Sequence, residues 1–136
     1  MISAIDFDGV IAHYSGWKGS EHFGKPIEGA KEALQQLKNE GHIIIIYTAR
    51  LPTEGLKEYL SKYNMPYDYI NENPLMKAIN EGPRKIPADI YIDDKGLTFK
   101  GNWTNTLNQI AKFKSWEPHE HCKEGTYDYG QPEYGR

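Results

Sequence analysis

Two short stretches of this chain end apolar runs in paired acids: Asp6 and Asp8 in AIDFDGV, and Asp93 and Asp94 in IYIDDKG. Carboxylates beside a core are costly unless something compensates them. No Lys or Arg occurs before Lys18, so no neighbour in sequence neutralises the first pair. Four carboxylates brought to one place would repel one another and raise each other's pKa. A divalent cation removes that conflict. A small set of oxygen ligands completed by water suits Mg²⁺, which commonly shares its shell with a phosphate. A phosphate ester in such a site would meet a carboxylate nucleophile, a second acid and a Lewis acid. The implied partner is a phosphorylated substrate.

The elements that carry these acids alternate. Ile2 to Asp6 reads as a first strand. Ala30, Ala33, Leu34 and Leu37 repeat at helical spacing, with Pro26 before them and Gly41 after. HIIIIY, 42 to 47, is the pattern of a strand buried on both faces, as in a parallel sheet. Leu56, Tyr59, Leu60 and Tyr63 mark a second helix. Tyr67 to Ile70 is a short strand and Pro74 to Asn80 a brief helical turn. Asp89 to Ile92 is a fourth strand, Leu97 to Phe99 a small edge strand. Trp103, Leu107, Ile110 and Ala111 mark a last helix. This order predicts an α/β fold: three-layer, doubly wound and Rossmann-like, with a mainly parallel sheet. Sites in such sheets form outside the carboxyl ends of the strands. Asp6, Asp8, Thr48, Asp93 and Asp94 all fall at such ends.

These residues carry a resemblance. Asp6-Phe7-Asp8-Gly9-Val10, the Thr48 of IIIIYTAR and the Asp93-Asp94 pair of IYIDDKG occur in that order on strand ends. In this the chain resembles the haloacid dehalogenase-like (HAD) superfamily of phosphohydrolases, over roughly residues 1 to 114. The resemblance implies that Asp6 attacks phosphorus and that Asp8 serves as acid and base. Thr48 would bond a phosphoryl oxygen, and a lysine would neutralise charge. That lysine is Lys85, with Arg84 and Lys77 as competitors. Asp6, the backbone carbonyl of Asp8, Asp93 and Asp94 would form the metal site. Which of Asp93 and Asp94 touches the ion is open.

Plainer readings stand beside these. Asp-Gly is a common turn pair, Thr48 could cap a helix, and Lys85 could be a solvated loop lysine. Arg50 is either a phosphate contact or a surface residue. HYSGWKGSEHFGKP, 13 to 26, exceeds an ordinary strand-to-helix loop and reads as a flap. Trp17 and Lys18 could line the mouth of a site there, while Phe23 pins the flap to the domain. His13 and His22 read as polar loop residues. Neither this insert nor the segment before the fourth strand is long enough for a cap domain, so the fold is expected to be capless.

Bulk composition bounds the rest. The chain has 136 residues, 38% apolar and 26% charged, with a net charge of −3. That suits one folded domain, 1 to 114, followed by an irregular tail, 115 to 136. Mean hydropathy is −0.73 and no apolar run approaches a membrane span, so no membrane association is expected. Met1 leads straight into the first strand, which predicts no leader peptide and a cytoplasmic protein. The single cysteine, Cys122, excludes an internal disulfide. The acidic balance gives no general attraction to nucleic acid, which enters only as a possible substrate. The spacing in EPHEHC fits no zinc pattern. Two rivals stand in other classes: a non-catalytic Mg²⁺- or phosphate-binding module, and a phospho-accepting receiver module, which places its acceptor after the third strand. Here that strand ends in YINEN, without an Asp at its end. Oligomeric state is not legible.

Overall fold

A computed structural model describes residues 1–75 and 85–117. The elements run β1 (Ile2–Asp6), α1 (Ala30–Asn39), β2 (Ile43–Tyr47), α2 (Glu54–Lys62), β3 (Tyr69–Ile70), β4 (Ile90–Ile92) and α3 (Trp103–Lys112). The four strands form one parallel sheet in the order β3-β2-β1-β4. The chain therefore winds outward from β1 in one direction and returns to β1's other side for β4. The crevice between the carboxyl ends of β1 and β4 is the point where the strand order reverses, the usual place for a ligand in an open α/β sheet.

The core sits on the two central strands. Ile44, Ile45 and Ile46 are fully buried, as the β-branched run of β2 requires. Ala4 and Ile5 of β1, Leu34 of α1, and Leu56 and Leu60 of α2 close around them. Phe7 and Tyr59 meet edge to face at 5.1 Å, and Phe23 stacks on Tyr59 at 5.3 Å. The Tyr59 hydroxyl also donates to the Gly24 carbonyl at 2.8 Å. Phe23 thus pins the flap to the core as expected.

Two acids at the opposite, amino ends of strands do structural work. Asp89 accepts from the Ile2 amide at 2.6 Å. Asp68 accepts from the Ile44 amide at 2.7 Å and pairs with Lys38 at 2.8 Å. They anchor strand starts, unlike the acids at the other edge.

Several expectations need correction. Leu97 to Phe99 is not a strand. Among the described residues the sheet ends at β4, whose three residues are all exposed. A three-residue alternation without a partner gains too little packing to hold a strand. β3 is two residues long rather than four. α3 forms where its apolar spacing placed it, yet it buries none of its residues. The helical turn expected over 74 to 80 falls mostly outside the described residues, as do Lys77, Arg84 and the tail beyond 117. No helix among the described residues is long and apolar enough to cross a membrane.

Candidate active site

Strand register brings the acids together. Asp6 pairs with Tyr47 and Ile5 with Ile92, so Thr48 and Asp93 each lie one step beyond a residue flanking the end of β1. Oxygen atoms of Asp6, Asp93 and Asp94 all lie within 4.8 Å of one another. The Asp6 carboxylate also accepts from the Phe7 amide at 2.8 Å. The Lys95 amide donates to Asp93 at 2.7 Å, which fixes the turn after β4.

Gly9 makes this approach possible. The loop after β1 is tight, with the Phe7 carbonyl accepting from the amides of Val10, Ile11 and Ala12. Gly9 sits at φ +83°, and a Cβ built there would overlap the Asp94 carboxylate. Only glycine permits both the left-handed backbone and the close passage of that side chain.

Burial raises the Asp6 pKa first, and the charges of Asp93 and Asp94 push it further, to about 8. The sign of the resulting pH effect follows. The folded state holds a proton that the unfolded chain loses near pH 4, so stability from this group falls as pH rises from about 4 to about 8. In chelator, the Tm is expected to drop by several degrees between pH 5 and pH 8, measured by thermal melting. Asp6→Asn should flatten most of that slope. An equally steep slope in the variant would place the cause elsewhere.

Asp8 does not join the trio by its side chain. Its two carboxylate oxygens accept from Arg50 Nε at 2.7 Å and Nη2 at 2.9 Å, a bidentate fork. Arg50 is only 6% exposed, which overturns the surface reading. Its guanidinium also donates to the His22 carbonyl at 2.8 Å and lies over the rings of Phe23 (4.3 Å) and Trp17 (5.3 Å). One residue therefore ties Asp8 to the flap. The flap's stem is held by backbone pairing, with Ala12 bridged to Pro26 and the His13 amide donating to the Lys25 carbonyl at 2.9 Å.

Thr48 is not the cap of α2; that position belongs to Thr53. The Thr48 hydroxyl accepts from the Arg50 amide at 3.1 Å. Its backbone is gripped by Asn71, whose side chain accepts from the Thr48 amide at 2.8 Å and donates to its carbonyl at 2.9 Å. Asn71 stands at φ 54°, a conformation asparagine tolerates better than most residues. Asn71→Ala is expected to cost about 1–3 kcal/mol in urea unfolding, through two lost bonds and a strained backbone. A loss indistinguishable from zero would show that Thr48 is held by other means.

Of the remaining predicted site residues, Trp17 is half exposed over Arg50 and Lys18 is exposed beside it. Lys85 Nζ lies 5.4 Å from the centre of the Tyr91 ring. Sequence reasoning missed Asn71, Trp116 and Glu117. The Trp116 indole donates to the Gly9 carbonyl at 2.7 Å. Glu117 binds His13 Nδ1 at 2.9 Å and accepts from the Tyr14 amide at 3.1 Å. The start of the tail is thus a strap across the loop after β1 and the flap. Its one signal in sequence is a tryptophan in an otherwise aperiodic segment.

Comparison with family models and with curated proteins finds no match. One solved structure is similar. It is a conserved protein from Bacteroides thetaiotaomicron, with TM-score 0.59 and 26% identity, covering 85% of this chain and 93% of that one. The similarity spans nearly the whole of that chain and supports the parallel α/β architecture.

Proposed function

We propose that this protein is a Mg²⁺-dependent phosphomonoesterase of the haloacid dehalogenase-like type, capless, working through an aspartyl-phosphate on Asp6. The observation that carries this is the trio Asp6, Asp93 and Asp94, with oxygens within 4.8 Å, at the strand-order reversal beside an arginine-held Asp8. The donor set fits a hard cation. All three are carboxylates, and a cation would offset both influences that raise the Asp6 pKa, burial first and then the neighbouring acids. Asp6 and one or both of Asp93 and Asp94 would hold the ion, with the Asp8 carbonyl in support. When bound, Mg²⁺ supplies charge neutralisation at the phosphoryl oxygens.

The residues divide the remaining work. An Asp6 oxygen attacks phosphorus as the bond to the leaving oxygen breaks. Asp8, once one of its oxygens is freed from the Arg50 fork and has taken up a proton from solvent, gives that proton to the leaving oxygen, then takes one from the water that opens the acyl phosphate. Such acid–base help is typically worth ~10²–10⁴-fold. Thr48 keeps a hydroxyl proton to donate to a phosphoryl oxygen, because the bond from the Arg50 amide uses only a lone pair. Arg50 holds Asp8 in plane; an entering phosphate offers its guanidinium a second anion and lets one Asp8 oxygen leave the fork. The electrostatic part of the task falls to a basic residue before β4, Lys85 or its competitors Arg84 and Lys77.

Phosphate release from a panel of monoesters, with Mg²⁺ and with EDTA, tests the reading. Mononucleotides and 3′-phosphorylated oligonucleotides belong in the panel. Release that requires Mg²⁺ supports the function; none from any ester in either condition contradicts it.

A further inference from the structure

Gly9 is held at both of its peptide groups. Its amide donates to the Ala12 carbonyl at 2.8 Å, within the loop after β1. Its carbonyl accepts from the Trp116 indole at 2.7 Å, from a residue 107 positions away. In a trans peptide the N–H and the C=O point in opposite directions. The direction of the Gly9 amide therefore sets that of the Asp8 carbonyl, and the bond from Trp116 fixes the peptide plane that follows. Gly9 stands at φ +83° and has no side chain to restrain it, so bonds to its backbone matter more here than at another residue.

Two groups of the candidate metal site depend on this glycine. The Asp8 carbonyl leads directly into it. The Asp94 carboxylate, a member of the acidic trio, passes so close to it that a Cβ there would overlap. A turn of the Gly9 backbone would move the first group and close the passage used by the second.

Packing explains little of the placement of Trp116. Its ring is 57% exposed, and it meets His13 at 6.0 Å in a tilted arrangement. What is specific is its N–H, a donor without acceptor capacity, aimed at one carbonyl. The strap that carries it is braced on both sides. The Ser115 hydroxyl donates to the Glu117 carbonyl at 3.0 Å, and the Glu117 side chain binds His13 and the Tyr14 amide.

We propose that Trp116 is a positioning residue for the metal site: its indole N–H, acting through Gly9, holds the Asp8 carbonyl and the passage beside Asp94 in the arrangement that a divalent cation requires. The inference rests on the metal reading of the acidic trio. Bonds that orient metal ligands from outside are typically worth ~10–100-fold in metal affinity.

The test is calorimetric titration of the full chain with Mg²⁺, for wild type, Trp116→Phe and Glu117→Gln. Trp116→Phe keeps an aromatic ring and loses the donor. Glu117→Gln loosens the strap from the flap and leaves the donor in place. The Kd for Mg²⁺ is expected to rise at least ~10-fold in Trp116→Phe and clearly less in Glu117→Gln. Thermal melting in chelator verifies that each variant is folded. If Trp116→Phe does not fold, a benzothiophene in place of the indole at position 116 removes the donor and keeps both rings. A smaller rise without the donor overturns the proposal, as does an equal rise in Glu117→Gln, which would make the strap a general clasp. If wild type binds no Mg²⁺, the metal reading fails, and amide hydrogen exchange reads the hold on Gly9 by itself. Exchange of the Gly9 amide at least ~3-fold faster in Trp116→Phe upholds that hold, and an unchanged rate overturns it.

Discussion

Asp6→Asn is expected to lower Mg²⁺-dependent phosphate release by roughly 10³-fold or more, a barrier increase of at least about 4 kcal/mol. The amide keeps the shape of the carboxylate but has neither its nucleophilicity nor its charge. The same substitution should make the metal-free protein more stable at pH 8. Ionising Asp6 there requires a buried charge beside Asp93 and Asp94, and the neutral amide removes that requirement. Gain of stability with loss of activity is the signature of a site strained for function. Phosphate assays and thermal melts in chelator measure the two halves. A variant that keeps its activity, or that is less stable than wild type in chelator, would contradict the assignment of Asp6.

Arg50→Leu is expected to be the most damaging change outside the acidic trio. Removing one partner of a buried ion pair typically costs about 3–5 kcal/mol, because the other charge is left without compensation. Asp8 would be that charge, with 19% of its side chain exposed. The flap would lose the guanidinium bonds to its His22 and Ser20 carbonyls and the ring contacts with Phe23 and Trp17. Arg50→Lys should recover part of the stability and little of the activity, since an ammonium cannot reproduce the planar fork. Urea unfolding gives the stability. An Arg50→Leu protein as stable as wild type would show that the fork is incidental.

The sequence carries the acidic trio because it depends on local features. An apolar β-branched run names a strand, the next residue lies at its carboxyl end, and parallel strands put those ends on one edge. Asp6, Thr48 and Asp93 follow from that rule alone. Arg50 does not, because its partner Asp8 is 42 residues away and the pairing is made by how the flap folds back. Trp116 and Glu117 are further still: their contacts to Gly9, His13 and Tyr14 span more than 100 positions, from a segment with no periodicity. Asn71 does not follow from it either, since its grip on Thr48 depends on the β2–β3 register. The expected edge strand at Leu97 to Phe99 failed for the opposite reason: the local pattern was present, but those three residues do not pair with the open edge of β4.

The central claim is that a phosphoryl group passes through Asp6, and trapping it is the most direct measurement. Wild-type protein mixed with Mg²⁺ and an excess of the best ester, then quenched in acid, is digested and read by mass spectrometry. The account predicts one phosphoryl group on the peptide that begins at Met1, labile to hydroxylamine and missing from Asp6→Asn. Rapid turnover with no phosphoryl group on that peptide, or one that persists in the variant, would contradict it.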